Sequence, residues 1–347
     1  MNLTKVFLLF CGLPALALSL QATAAGAVQV PDVGARPAWA IAVHGGAGVR
    51  ERAKMTAARE ARYRADLKAA LEAGGGVLAA GGEGPAAIEA ALKVLEDSPL
   101  FNAGRGAALD NYGNARHDAS IMRGDTLDAG AVAGSSRIRN PIAAARAVME
   151  RTDNVLLHGD GADWFAAQQG LALANPLYHQ TEERRAALLK KQADSPGTVA
   201  EAPGTAFGTV GAVVLDRSGT ISAGTSTGGR TNKRYGRIGD SPVIGAGTYA
   251  SNQSCAVSAT GHGEYFMRYT VARDICARVE FGGESLQQAA EAVLIGILQP
   301  VGGRGAVIAI DARGKVVFSM NGKGMYRGVM SSSTPARTAI YAAEGVK

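Results

Sequence analysis

Thr209 is the position at which this sequence can best support covalent chemistry. It lies where an irregular segment, residues 193–207, meets an apolar run, and Gly208 before it has no side chain to obstruct attack on the connecting carbonyl. A threonine inside a chain is a weak nucleophile, whereas one at a chain terminus has its own α-amine as base, with a pKa of about 8. Cleavage before Thr209 would therefore create a nucleophile; without it, Thr209 is an ordinary β-branched strand residue.

A second candidate nucleophile is Ser226. The segment Gly224-Thr-Ser-Thr-Gly228 matches the G-x-S-x-G pattern of serine hydrolases, which requires a sharp turn between a strand and a helix. The following residues, 229–236, are a poor helix. We interpret the match as a polar turn after an edge strand, and keep Ser226 as the alternative nucleophile.

Arg237 and Asp240 could recognise an amino acid. A guanidinium binds a carboxylate through two hydrogen bonds, and a nearby carboxylate could accept an ammonium group. Taken alone, however, the two residues are better interpreted as an ion pair on the surface, which contributes little.

Metal-dependent and nucleotide chemistry receive no support. The histidines show no H-E-x-x-H spacing, no cysteine pair has zinc spacing, and no glycine loop ends in Gly-Lys-Ser/Thr. The net charge of +6 comes from scattered Lys and Arg rather than a basic run interleaved with aromatics, so nucleic-acid binding is not indicated.

The periodicity predicts a sheet covered by helices, in a layered α/β or α+β domain. Apolar runs bounded by turn residues predict strands at 39–43, 209–215, 220–223, 306–310 and 316–320, with hairpin turns at 216–219 and 311–314. Helical spacing predicts helices at 59–73, 85–97, 141–151 (with Asn140 as N-cap), 181–192, 264–281 and 285–298. The region from residue 49 to the irregular segment reads as rich in helices.

The N-terminus resembles an export signal. Lys5 precedes an apolar run from Val6 to Leu20, and small residues around position 24 suit cleavage; the run is shorter than the ~20 residues of a membrane span. Removal of residues 1–24 would leave Cys255 and Cys276, which we interpret as buried thiols, with one bridge possible.

Eight blocks, in order, resemble the plant-type asparaginase and isoaspartyl peptidase family of N-terminal-nucleophile hydrolases. They are Val43-His-Gly-Gly-Ala-Gly48, Pro99-Leu-Phe-Asn-Ala-Gly104, Arg139-Asn-Pro141, Gly208-Thr-Val-Gly-Ala-Val-Val-Leu-Asp216, Thr225-Ser-Thr-Gly-Gly229, Gly236-Arg-Ile-Gly-Asp-Ser-Pro242, Thr260-Gly261 with Gly263-Glu264, and Gly324-Met-Tyr-Arg327. The resemblance implies a four-layer αββα sandwich that cleaves itself between Gly208 and Thr209. The products would be an α-subunit, 25–208, with a mobile loop at about 193–208, and a β-subunit, 209–347.

The resemblance also implies roles for individual residues. Thr209 would be the nucleophile, Thr227 would position it, and Thr260 and Gly261 would stabilise the oxyanion with Asn102 nearby. Substrate binding would involve Arg237, Asp240, Thr260, Gly261 and Gly263. Backbone carbonyls would hold a structural sodium ion at Leu95, Glu96, Ser98, Phe101, Ala103 and Arg105; no cofactor is implied for the chemistry.

The activity implied is hydrolysis of β-aspartyl peptides and of the side-chain amide of L-asparagine, through a β-aspartyl ester on threonine. We expect a periplasmic or secreted enzyme, a dimer of αβ heterodimers, with no membrane or nucleic-acid partner. A glycosylasparaginase-like hydrolase and a non-catalytic periplasmic amino-acid binding protein are the alternatives. His262 and Arg230 depart from the family's usual residues, and we expect His262 to affect the pH profile.

Overall fold

The computed structural model describes residues 26–34, 36–49, 51–194 and 208–346. The predicted export signal and most of the predicted mobile loop lie outside these residues. Within them, no helix is both long enough and apolar enough to cross a membrane.

Thirteen strands in the described residues form two sheets. They are β1 Ala27–Gln29, β2 Ala40–His44, β3 His117–Arg123, β4 Ala129–Ser135, β5 Leu156–His158, β6 Val210–Leu215, β7 Ile221–Thr227, β8 Thr248–Ala250, β9 Cys255–Gly261, β10 Gly305–Asp311, β11 Val316–Met320, β12 Gly324–Ser331 and β13 Thr334–Tyr341. The larger sheet has the order β13-β12-β2-β6-β7-β3-β4-β5, and the smaller has the order β1-β11-β10-β9-β8. Only the β4–β5 pair is parallel among these strands.

The structure describes eight α-helices, most of which cover the outer faces of the two sheets. They are α1 Ala57–Ala79, α2 Gly84–Asp97, α3 Pro141–Arg151, α4 Gly159–Gln168, α5 Glu182–Asp194, α6 Gly263–Arg268, α7 Val271–Glu280 and α8 Leu286–Glu291, the last continued by a π-helical segment, Ala292–Leu298. One apolar core joins α1, α2 and α3 to the larger sheet, a second lies between the sheets, and a third joins α7 and α8 to the smaller sheet. The predicted αββα sandwich is therefore confirmed.

Several local predictions need correction. The stretch expected to be rich in helices contains β3, β4 and β5. Strand β3 is buried on both faces and does not alternate, β4 consists mostly of alanine and glycine, and β5 has only three residues, so none shows a clear two-residue period. The helix expected at 264–281 is two helices, broken where Thr270 adopts the left-handed conformation with φ of 44°. Helix α3 begins as predicted, but the Asn140 side chain does not cap it.

Two further expectations were wrong. Strand β7 runs through Thr227 between β6 and β3, so Gly224–Gly228 is not a turn after an edge strand. Cys255 and Cys276 are joined in a disulfide that ties β9 to α7; this is the bridge that the sequence left possible, and not the pair of buried thiols that was the first interpretation.

Candidate active site

The predicted nucleophile lies directly before β6, a central strand of the larger sheet. Thr209 is buried, and its Oγ1 is 2.8 Å from the Gly208 carbonyl oxygen and 3.1 Å from Thr227 Oγ1. Thr227 ends the neighbouring strand β7, where it also accepts a 3.0 Å hydrogen bond from the Gly229 N–H. The antiparallel pairing of β6 and β7 thus brings two threonines, eighteen residues apart in sequence, into hydrogen-bond contact.

The carbonyl group before Thr209 is polarised by two donors. Asn102 Nδ2 lies 2.7 Å from the Gly208 oxygen, and Thr227 Oγ1 lies 3.1 Å from it. The Asn102 amide is held in orientation because its Oδ1 accepts the Ala108 N–H at 2.6 Å. This arrangement stabilises negative charge on the Gly208 oxygen, which is the atom that would become an oxyanion if Thr209 attacked its own peptide bond.

Thr260 and Gly261 lie at the end of β9, in the smaller sheet. Thr260 is fully buried, and its Oγ1 is 3.4 Å from the backbone N–H of Ala47, in the loop after β2. A side chain at Gly261 would lie 2.4 Å from the Arg304 carbonyl oxygen, so only glycine fits there. The candidate site therefore draws its nucleophile from one sheet and its predicted oxyanion donors from the other.

Arg237, Asp240 and Gly263 are brought together as predicted. A Cβ at Gly263 would lie 2.8 Å from both Arg237 Nη2 and Asp240 Oδ1. Burial raises the pKa of Asp240 to about 7, although Arg237 opposes the shift, and Asp240 Oδ2 has no hydrogen-bond partner among the described residues. A buried carboxylate oxygen without a donor costs free energy, and an ammonium group would remove that cost.

Glu264 is a residue of the site that the sequence reasoning did not assign. Its Oε1 accepts from Arg237 Nε at 3.0 Å and lies 3.2 Å from Arg230 Nη1. Arg237 therefore already has an anionic partner within the chain. The only sequence signal for this contact was the position of Glu264 directly after Gly263, in one of the eight blocks that resemble the family.

Lys233 is a second unassigned residue. It is buried, and its Nζ donates to the Gly228 and Arg116 carbonyls at 2.9 and 2.8 Å. Burial lowers its pKa, and the nearby Asp118 carboxylate opposes that shift. The contact fixes the turn directly after Thr227.

His262 and Arg230, which the sequence analysis singled out, lie beside the site. His262 precedes α6 between Gly261 and Gly263, and its Nδ1 accepts the Arg304 N–H at 3.4 Å. Arg230 reaches Glu264, as described above. Both side chains therefore contact residues that adjoin the predicted substrate-binding groups.

Ser226 is not placed to act as a nucleophile. Its side chain is fully buried, and its hydroxyl donates to Glu96 Oε1 at 2.6 Å. Side chains on a strand alternate in direction, so Ser226 points away from the face that Thr227 occupies. The alternative based on Ser226 is excluded by this geometry.

The predicted sodium loop is a tight curl after α2. A Cβ at Gly104 would lie 2.4 Å from the Glu96 carbonyl oxygen, and one at Gly106 would lie 2.1 Å from that of Phe101. Carbonyls at the C-terminal end of α2, including that of Glu96, have no helical donor, and carbonyl oxygens suit a hard cation. The loop contains Leu95, Glu96, Ser98, Phe101, Ala103 and Arg105; among the described residues there is no cluster of three acidic, histidine or cysteine side chains for another metal. The Ala103 carbonyl, however, already accepts the Gly106 N–H at 3.0 Å.

Comparison with known proteins gives one consistent result. Residues 37–340 match the family model described as asparaginase. The chain is 45% identical over 307 residues to an isoaspartyl peptidase of Salmonella typhimurium, covering 87% of this chain and 98% of the relative. It is 44% identical over 311 residues to an isoaspartyl peptidase of Escherichia coli (88% and 97%), and 42% over 296 residues to a plant-type L-asparaginase of Pyrococcus horikoshii (82% and 94%).

Proposed function

The chain belongs to the asparaginase family, and from this we propose that it is a self-processing amidohydrolase that cleaves β-aspartyl peptides and the side-chain amide of L-asparagine. The observation that carries the proposal is the position of the Thr209 hydroxyl, between Thr227 and a carbonyl that Asn102 polarises. The chemistry needs no cofactor, because the nucleophile, the base and the oxyanion donors all belong to the chain.

Self-cleavage follows from the contacts around Gly208. Thr209 Oγ attacks the Gly208 carbonyl carbon, and the resulting oxyanion is stabilised by Asn102 and Thr227. The Gly208–Thr209 C–N bond breaks as the threonine nitrogen takes up a proton, which leaves an ester between Gly208 and Oγ. Water then hydrolyses the ester, giving a carboxylate at Gly208 and a free α-amine on Thr209.

Turnover reuses the freed threonine. Its α-amine accepts the hydroxyl proton while Oγ attacks the β-carbonyl carbon of the substrate. We propose that the Thr260 hydroxyl and the Gly261 N–H stabilise this second oxyanion. The C–N bond then breaks, ammonia or a peptide amine leaves with the proton, and water hydrolyses the β-aspartyl ester.

The aspartyl part of the substrate suits the pocket formed by Arg237, Asp240 and Gly263. We propose that Arg237 binds the α-carboxylate through its terminal nitrogens, since its Nε is engaged by Glu264. Asp240 would accept the α-ammonium on Oδ2. L-Asparagine and isoaspartyl peptides share this end, and Gly263 leaves room for it.

The remaining features of the proposal concern the whole protein. Residues 25–208 and 209–347 would be the two subunits, and two such αβ pairs would form a dimer. The loop of carbonyls after α2 would hold a structural sodium ion. Export after removal of residues 1–24, to the periplasm or the medium, agrees with the Cys255–Cys276 disulfide, because disulfides persist in oxidising compartments.

Intact-mass analysis of wild type beside Thr209→Ala tests the proposal. We expect wild type to give two chains, the second beginning at Thr209, and the variant to remain whole. Cleaved wild type should release aspartate from both isoaspartyl dipeptides and L-asparagine. A wild-type chain that stays intact, or a cleaved protein that hydrolyses neither substrate, would rule the proposal out.

A further inference from the structure

Four hydroxyls and one imidazole, joined in series by hydrogen bonds, cross the space between the two sheets, directly below the site. Successive side-chain contacts in this series measure 3.1, 2.6, 2.6 and 2.8 Å, and its last hydroxyl donates to the Ser241 carbonyl at 2.6 Å. Its members, in order, are fully buried: His44, Ser258, Thr225, Thr248 and Ser120. We refer to this set as the buried hydroxyl chain.

Strands β7 and β9 each contribute one residue to the buried hydroxyl chain, two positions before their threonine of the site. Thr225 precedes Thr227 on β7, and Ser258 precedes Thr260 on β9. Residues two apart on a strand face the same side of the sheet. The buried hydroxyl chain therefore forms the layer immediately beneath Thr227 and Thr260.

Gly211, on strand β6, has no side chain and so leaves space for this layer. A Cβ at Gly211 would lie 2.0 Å from Ser258 Oγ and 2.4 Å from His44 Nε2. The contact between those two side chains thus occupies the space where a side chain of β6, two residues after Thr209, would stand. Burial lowers the pKa of His44 to about 3, with the Thr209 backbone beside it opposing the shift, so the imidazole is neutral at working pH.

The far end of the buried hydroxyl chain reaches the proposed substrate pocket. Ser120 donates to the carbonyl of Ser241, the residue after Asp240. Most of the surrounding layer between the sheets is apolar, including Val213, Ala223 and Ile308. In such surroundings the polar layer favours one relative position of the two sheets. If one sheet slid over the other, buried hydroxyls would lose their hydrogen-bond partners.

The catalytic groups are divided between the sheets, which gives the buried hydroxyl chain its importance. Thr209 and Thr227 belong to the larger sheet, whereas Thr260 and Gly261 belong to the smaller one. A nucleophile and its oxyanion donors must be held to within about 0.5 Å. Apolar packing alone is compatible with small sliding of one sheet over the other, whereas the contacts of Ser258 with Thr225 and His44 are direct hydrogen bonds between the sheets.

We infer that Ser258, through its hydrogen bonds to Thr225 and His44, is a positioning residue that fixes the distance between the nucleophile on one sheet and the oxyanion donors on the other. The inference rests on the proposed function and adds to it a residue that touches no substrate. It predicts a loss in kcat without a comparable loss in substrate binding, because Arg237 and Asp240 keep their own contacts.

The test compares Ser258→Ala with Ser319→Ala. Ser319 is also a fully buried serine of the smaller sheet, and its hydroxyl donates to the Ala290 carbonyl at 3.4 Å, on the side away from the site. On an isoaspartyl dipeptide, we expect Ser258→Ala to lower kcat by about 10- to 100-fold with KM within about twofold, since small misplacements have effects of this size. Ser319→Ala should keep the wild-type kcat.

Thr225→Val and Thr225→Ser provide the second comparison, in case Ser258→Ala folds poorly. Valine removes the hydroxyl that meets Ser258 and serine retains it, so kcat should fall in the first variant and recover in the second. Wild-type kcat in either Ser258→Ala or Thr225→Val would overturn the inference. Wild type measured in parallel distinguishes failure of the proposed function from failure of the positioning role. If wild type is cleaved and active, and Ser258→Ala and Thr225→Val have the same kcat, only the positioning role is ruled out.

Discussion

Two glycines of the site provide space that polar groups occupy. A Cβ at Gly208 would lie 2.6 Å from the Asn102 Cβ, and one at Gly263 would lie 2.8 Å from Arg237 Nη2. At Gly208 the absence of a side chain lets the Asn102 amide approach the carbonyl that would react, and at Gly263 it leaves room for the Arg237 guanidinium in the proposed substrate pocket. Substitutions at these glycines should therefore affect chemistry before they affect folding.

Gly208→Ala should slow self-cleavage by at least about tenfold. The added methyl group would displace Asn102 from the Gly208 carbonyl and so weaken one oxyanion donor, an effect that typically lowers rates 10²- to 10³-fold. A time course of intact mass measures it. Gly76→Ala is the control, because a Cβ there would meet no described atom within 4 Å; equal cleavage rates in the two variants would contradict the role given to Asn102.

Asp240 should make substrate binding depend on pH. Its pKa is raised to about 7 by burial, opposed by Arg237 and assisted by the Glu264 and Asp118 carboxylates, so it becomes protonated as the pH falls through 7. A neutral carboxyl cannot pair with an α-ammonium, and the inhibition constant of L-aspartate should therefore rise about tenfold per pH unit below that value. Asp240→Asn should bind weakly at every pH, and a constant wild-type value from pH 5.5 to 7 would refute the assignment.

At the scale of elements, the Glu96 side chain joins three segments of the fold. It comes from the last turn of α2, accepts the Ile142 N–H at the start of α3 at 3.0 Å, and accepts the Ser226 hydroxyl of β7 at 2.6 Å. It thereby takes the capping role that the sequence suggested for Asn140. The loop that follows α2 and the strand of Thr227 are therefore held to the same carboxylate.

Glu96→Ala should destabilise the protein far more than Glu96→Gln. Alanine leaves a buried N–H and a buried hydroxyl without their acceptor, which costs about 2–4 kcal/mol, whereas glutamine keeps one carbonyl oxygen in place. Urea denaturation in the Thr209→Ala background, where the chain stays whole, measures the difference. Equal stabilities of the two variants would show that this contact contributes little.

At the scale of the whole molecule, the strand order interleaves the two proposed subunits. Strands β6 and β7 follow Thr209 in sequence, yet they lie between β2 and β3, which precede it. The disulfide lies entirely within residues 209–347, so it does not join the subunits. After cleavage, the two subunits must be held together by strand pairing in the larger sheet and by apolar packing on its two faces.

The cleaved subunits should therefore remain together under native conditions. Separating them would break the β2–β6 and β3–β7 ladders and expose the central apolar core, so neither part should fold alone. Native mass spectrometry of cleaved wild type, with and without reductant, should give one complex, and denaturation should give two chains. Dissociation without denaturant would contradict the role of the interleaved strands.

Through the matched blocks the sequence determined the αββα architecture and predicted the cleavage position and the residues of the aspartyl pocket, and local signals located the hairpins at 216–219 and 311–314. Strand β4 was missed because its alanines and glycines carry little periodicity, β3 because it is buried on both faces and does not alternate, and β5 because it has only three residues. The break at Thr270 was missed because one residue's backbone conformation leaves no pattern. Only the tertiary structure decided that Cys255 bonds to Cys276, that Ser226 faces Glu96, and that Asn102 meets the Gly208 carbonyl. Each of these depends on which residues of distant strands and loops face one another, and that follows from sheet order and register, which spacing along one chain does not encode.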